Sequence, residues 1–141
     1  MPVRPAASHR DLVAAAKAVA HPARLRILAM LEQGPLCVCQ MSTILELAPS
    51  TVSGHLNDLR RSGLVIETKA GKLVYYDLAP ASPFASWLKG ALTLVRDDEQ
   101  VRQDSTLIGK VRSVPIPLLT GGTLSLDDIR RRRANPAVRA V

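Results

Sequence analysis

Cysteine is scarce in this 141-residue chain: Cys37 and Cys39, in the stretch PLCVCQM, are its whole supply. Two thiols one residue apart cannot staple a fold. A disulfide framework is therefore excluded, and both thiols stay available for a metal, a metalloid or redox chemistry. Long apolar runs are missing as well. Nothing approaches the roughly 18 uninterrupted apolar residues of a membrane span, and the N-terminal MPVRPAASHRD lacks the apolar stretch of a secretory signal. A soluble, cytoplasmic protein with no membrane partner is expected. No internal repeat is visible, and the length suits one domain of modest core with tails.

Acidic residues are in the minority. Lys and Arg number 19 against 12 Asp and Glu, a net charge of +7, which points to a polyanionic partner without naming it. Residues 113–141 hold five arginines and two aspartates, hence +3, and residues 1–112 carry the other +4. The basic character is spread over body and tail.

Read for periodicity, residues 1–8 form a flexible arm and residues 9–112 a single domain. Leu12, Val13, Ala16, Val19 and Ala20 recur at helical spacing over 11–20. Pro22 resets the chain, because proline is tolerated only in a first helical turn. A second helix carries Leu25, Ile27, Leu28 and Leu31 and ends at Gly34-Pro35. A third starts within PLCVCQM and runs to about Leu47, burying Met41, Ile44, Leu45 and Leu47. A fourth begins at Pro49, buries Val52, Leu56 and Leu59, and is capped by Gly63. The period then becomes extended: Leu64–Thr68 and Leu73–Leu78 read as two strands joined by Lys69-Ala70-Gly71-Lys72. Ser82 and Pro83 open a long last helix with an apolar stripe of Phe84, Trp87, Leu88, Ala91, Leu92 and Val95, charged from Arg96 to Glu99 and fraying before Pro115. Residues 113–141 read as an irregular basic tail, with one short helix over 125–133 where Ser125 and Asp128 make a capping pattern.

Mainly α with a β-hairpin wing, in the order α-α-α-α-β-β-α, is the arrangement of a winged helix-turn-helix: the fourth helix enters the major groove and the hairpin flanks it. The chemistry of the residues agrees. Ser50, Thr51, Ser53, His55 and Asn57 offer hydrogen bonds to phosphates or base edges, Gly54 permits close approach, and Arg60, Arg61, Lys69 and Lys72 lie where a DNA backbone would pass. Each also has a plainer reading. Ser50 caps a turn, His55 packs against the wing, and the two lysines are solvated turn charges. Together the positions favour double-stranded DNA.

Residues 18–79, through HPARLRILAML, LCVCQM, STVSGHLNDLRRSGLV and GKLVYYDL, resemble the ArsR/SmtB family of metalloregulatory transcriptional repressors. The resemblance implies a homodimeric repressor that leaves its operator when an inducer binds. It also implies that the first and last helices form the dimer interface, here Leu12, Val13 and Ala16 with Phe84, Trp87, Leu88, Ala91 and Leu92. The plainer reading of those faces is intramolecular core.

The inducer is narrowed by the ligands that are absent. Residues 83–112 contain no histidine, as a zinc, nickel or cobalt site in the last helix would need, and residues 1–20 contain no cysteine, as the cadmium and lead type of site would need. Leu36-Cys37-Val38-Cys39 resembles the family's arsenical-sensing motif, which implies trivalent arsenic or antimony as inducer and no permanent cofactor. Soft thiolates suit such thiophilic centres. The fullest form of the motif has a third cysteine where this chain has Ser42. A two-sulfur site completed by water, hydroxide, an exogenous thiol or an organic substituent follows, and methylated arsenicals join arsenite and antimonite as candidates.

On a regular helix residues i and i+2 point about 200° apart, so the pair chelates one atom only if the segment is extended or the first turn opens. The alternative regulator is a redox or reactive-sulfur switch on the same cysteines, although a direct disulfide across one residue is strained. The plainest alternative makes them small buried hydrophobes. An enzyme is not expected: no βαβ pattern or general-base constellation accompanies the thiols.

Overall fold

The computed structural model describes residues 6–122 and 124–133. The expected arm at 1–8 and the end of the tail, 134–141, lie mostly outside that range. Inside it, Ser8 already caps α1 (His9–Val19), its Oγ accepting from the Asp11 amide while its own amide donates to Asp11 Oδ2. This reciprocal capping box satisfies two donors that the helix start would leave orphaned. Ala15 and Ala18 turn into the core. Leu12, Val13 and Ala16 stay exposed.

Pro22 opens α2 (Pro22–Leu31), where proline costs no hydrogen bond, and His21 caps it through Nδ1, which accepts from the Ala23 amide. Ile27, Leu28, Met30 and Leu31 of α2 are buried at the centre of the chain. A two-residue strand, β1 (Leu36–Cys37), leads directly into α3 (Val38–Leu45). α3 ends where Glu46 adopts the left-handed conformation at φ 55°, and Ser42 Oγ closes the turn by donating to the Leu47 carbonyl at 2.5 Å. Three residues later α4 (Pro49–Arg61) begins, burying Val52, Leu56 and Leu59 as expected. The wing is β2 (Val65–Ala70) and β3 (Leu73–Leu78), antiparallel with Ala70 opposite Leu73. Its turn is therefore tighter than the sequence suggests. Gly71, at φ 63°, takes the first of only two loop positions, the place where a hairpin that follows strand twist wants glycine.

β1 was not legible in the sequence. It pairs with β3, Leu36 opposite Tyr76 and Cys37 opposite Tyr75, giving a sheet of order β1-β3-β2. Two residues are too few to show an alternating pattern.

The long last helix expected from Ser82 is two helices, α5 (Ala85–Leu94) and α6 (Glu99–Arg112). Asp98 breaks it, because its side chain accepts from the Val101 amide and so caps a new helix. α6 then returns across the molecule with Asp104, Leu107, Ile108 and Val111 buried at helical spacing. A carboxylate in that stripe is affordable because Arg26 grips it bidentately, Nε to Oδ2 at 2.8 Å and Nη2 to Oδ1 at 2.9 Å, with Gln100 adding a bond at 3.0 Å. The apolar residues of α5 divide accordingly. Phe84, Leu88 and Leu92, expected at an intermolecular face, are buried within the chain because α5 packs on α2; Trp87 and Leu94 remain exposed and Ala91 is half-buried.

The tail read as irregular contains two short helices, α7 (Ile116–Thr120) and α8 (Leu126–Arg131). α8 carries the expected Ser125/Asp128 capping box and buries Ile129 against α6, while α7 lies on α3. Too short to show a period, these helices are held by tertiary contacts. Among the described residues, no helix is long and apolar enough to cross a membrane.

Removing one partner of the pair that holds α6 leaves a buried charge uncompensated. Arg26→Ala is expected to cost about 3 kcal/mol, the lower end of the range for such pairs because Arg26 keeps some solvent contact. Arg26→Met with Asp104→Leu should recover most of that loss in urea unfolding.

Candidate thiol site and nucleic-acid interface

Cys37 and Cys39 meet because they belong to different kinds of backbone. Cys37 is the last residue of β1 and the N-cap of α3, with extended angles of φ −93° and ψ 165°. Cys39 is already helical. The opposition expected of two cysteines on one helix therefore never arises, and the Sγ atoms stand 2.8 Å apart. That is beyond a covalent disulfide, about 2.04 Å, and near enough for one atom to bind both. No helical turn has to open to bring the thiols together. The Cys37 amide donates to Gln40 Oε1 at 3.0 Å, which fixes the strand-to-helix corner.

The corner also tunes the sulfurs. The hydrogen bond between the two sulfurs draws the Cys37 pKa down to about 7; burial opposes this, and the Gln40 and Cys39 amides at the start of α3 assist it. The same bond, with burial, holds Cys39 above the ordinary thiol range. The two sulfurs titrate as a coupled pair. Across the sheet Tyr75 sits opposite Cys37, its own pKa raised by burial and then by the neighbouring sulfurs.

The thiols open into a cleft of about 310 Å³ walled by three elements: α3 with Cys37, Cys39 and Ser42, the wing with Lys72, Leu73 and Val74, and α7 with Leu119 and Thr120. Pro49, the first residue of α4, completes it. Ser42 thus borders the thiols as expected, with its hydroxyl committed to Leu47. The sequence reading missed Pro49, Leu73, Val74 and Leu119. They are apolar residues in separate segments, and nothing in their local pattern marks them. Arg112, also missed, reaches from the end of α6 to the carbonyls of Gln33 and Pro35 at 3.0 and 3.2 Å, pinning the loop that enters β1.

On the outer face of α4, Ser50, Thr51, Ser53, Gly54, Arg60 and Arg61 are exposed, and Lys69 and Lys72 are exposed on the wing. Two residues expected there are placed otherwise. His55 turns toward α2: its Nδ1 accepts from Arg24 Nε at 3.1 Å and its ring lies 4.5 Å from that of His21. Burial, then His21 and Arg24, depress its pKa. Arg24 also pairs with Asp58 at 2.5 Å, so His55 belongs to a cluster that fastens α4 to α2. Asn57 is half-buried and accepts from Arg60 at 2.9 Å.

A helical core, α3 and α4 joined through a tight turn, and a flanking hairpin define a winged helix-turn-helix domain. Residues 21–67 match the family described as bacterial regulatory protein, arsR family. Over 85 residues the chain is 36% identical to the arsenic resistance transcriptional regulator ArsR1 of Pseudomonas putida, covering 60% of this chain and 65% of that protein. Over 68 residues it is 44% identical to the arsenical resistance operon repressor of Escherichia coli, covering 48% and 58%. Among solved structures, reduced HlyU from Vibrio cholerae is similar at 37% identity and a TM-score of 0.54, covering 62% of this chain and 86% of that one. The homodimeric winged helix-turn-helix domain Mb0332 of Mycobacterium bovis is similar at 29% identity and a TM-score of 0.53, covering 62% and 76%. The chain belongs to the ArsR/SmtB family of transcriptional regulators. It spans under two thirds of the length of the two curated relatives.

A depressed Cys37 pKa has a pH signature. Its thiolate adds stability that grows as pH rises from about 7 toward the unfolded value, ordinarily 9.0, and is lost as pH falls through about 7; above 9.0 the raised Cys39 opposes it. Iodoacetamide labelling of Cys37 should follow a midpoint near 7, and Cys39→Ala, which removes the donor, should move that midpoint toward 9.0.

Proposed function

We propose that this chain is a homodimeric DNA-binding repressor that is released from its operator when a trivalent arsenical bridges Cys37 and Cys39. The observation that carries the reading is the 2.8 Å separation of the two sulfurs at the corner between the wing sheet and α3. Each bond to arsenic replaces an As–OH group, the thiol proton leaving with the hydroxide as water. Arsenite, antimonite and a monosubstituted arsenical can all use two thiols. The apolar residues Val38, Pro49, Leu73, Val74 and Leu119 around the sulfurs support a ligand whose third substituent is organic, because they supply no third sulfur.

DNA would be met by α4 and the wing, through Ser50, Thr51, Ser53, Gly54, Arg60, Arg61, Lys69 and Lys72, while His55 serves to hold α4 in place. Partner contact through Leu12, Val13, Ala16, Trp87 and Leu94 is supported by their exposure as apolar side chains on α1 and α5. Release follows from position. The cleft touches Pro49 at the start of α4 and Lys72 at the tip of the wing, so an occupant shifts two DNA-facing elements relative to each other.

A second reading has its own support. A Cys37 thiolate hydrogen-bonded to a second thiol suits a redox or reactive-sulfur switch. Fluorescence anisotropy on operator DNA separates the two. Arsenite or phenylarsine oxide should weaken binding of the reduced protein by about 5–150-fold, and Cys37→Ser and Cys39→Ser should bind DNA without responding. Release by polysulfide, with indifference to both arsenicals, would establish the second reading instead.

A further inference from the structure

We propose that Leu119 of α7 is a selectivity gate over the thiol pair, deciding by size and polarity which thiol-reactive ligands reach Cys37 and Cys39. The inference rests on the reading of that pair as a ligand site.

α7 lies against α3, beside the thiol pair. Leu119 lines the same cleft as both cysteines and packs partly buried against the core. α7 comes to α3 because α6 is anchored on both sides, by Arg26 on Asp104 and by Arg112 on the Gln33 and Pro35 carbonyls. The chain is fastened again at α8, where Ile129 is buried, and α7 lies between these two points. α7 contains no fully buried residue, and a segment with so little burial can open without global unfolding. The cleft of about 310 Å³ lies at the small end of sites that take organic ligands. A side chain in its wall therefore decides between a compact inorganic ligand and one bearing a ring. Thr120 adds no competing polarity, because its hydroxyl is bound to the Ile116 and Pro117 carbonyls.

The test uses full-length Leu119→Ala and Leu119→Trp, with Leu118→Ala as a control at a neighbour that is 42% exposed. Rates of reaction with the cysteines are measured for phenylarsine oxide against arsenite, and for the bulky aromatic disulfide DTNB against iodoacetamide. Leu119→Trp should slow the bulky member of each pair by about tenfold or more, and Leu119→Ala should accelerate it, with the small member changed by less than about twofold. Leu118→Ala should change neither, and thermal melts will report whether each variant is folded. Equal effects on large and small reagents, or none, would overturn the gate. If neither arsenical binds the wild-type protein while the DTNB contrast persists, the arsenical reading fails and the gate stands.

Discussion

The grip of Arg26 on Asp104 is the constraint on which the second half of this molecule depends. Asp104 is almost completely buried, and an isolated carboxylate there would cost several kcal/mol of lost hydration. The planar guanidinium repays that cost only from one direction, edge-on and bidentate. α6 must therefore cross α2 at a set register. Once it does, Leu107, Ile108 and Val111 fall into the core, and Arg112 arrives at the loop before β1. The helices after residue 113 inherit their positions from this placement.

Chemistry and fold meet at a second junction. A strand residue and a helix residue, separated only by Val38, bring two sulfurs together that a continuous helix would hold apart. The pairing of Leu36 and Cys37 with Tyr76 and Tyr75 keeps the first of them extended. Strand pairing and helix start thus bring two sulfurs within 2.8 Å and lower the pKa of one thiol. The cleft beside them is bordered by α3, the wing and the first residue of α4, so under the proposed function a ligand there would touch all three. The 1–3 kcal/mol typical of coupling between two sites then requires only a modest shift of packed elements.

Much of the first eighty residues was legible. The stripes Leu28/Leu31 and Val52/Leu56/Leu59 mark buried faces because helical spacing leaves one side for the core, and Gly71 marks the hairpin because a two-residue turn needs φ above zero. The exposed Ser50, Thr51 and Ser53 were likewise readable as a polar face. His55 was not. It follows the exposed Ser53 and Gly54, and only the approach of His21 and Arg24 from α2 gives its ring an inward partner. Leu88 and Leu92 carry an apolar pattern that suits either a core or a partner, and the pattern cannot say which surface arrives first.

Composition and local pattern were enough for the helix-turn-helix, the wing and the closely spaced pair of thiols, because each depends on residues close together in the chain. The strand that keeps Cys37 extended and the place of Leu119 in the cleft wall came from contacts between distant segments. Pairing across 38 residues of separation and an ion pair across 78 leave no periodic trace in either partner. Cys37 and Cys39 were visible from the start; the space around them was set by chain that returns from the other end of the molecule.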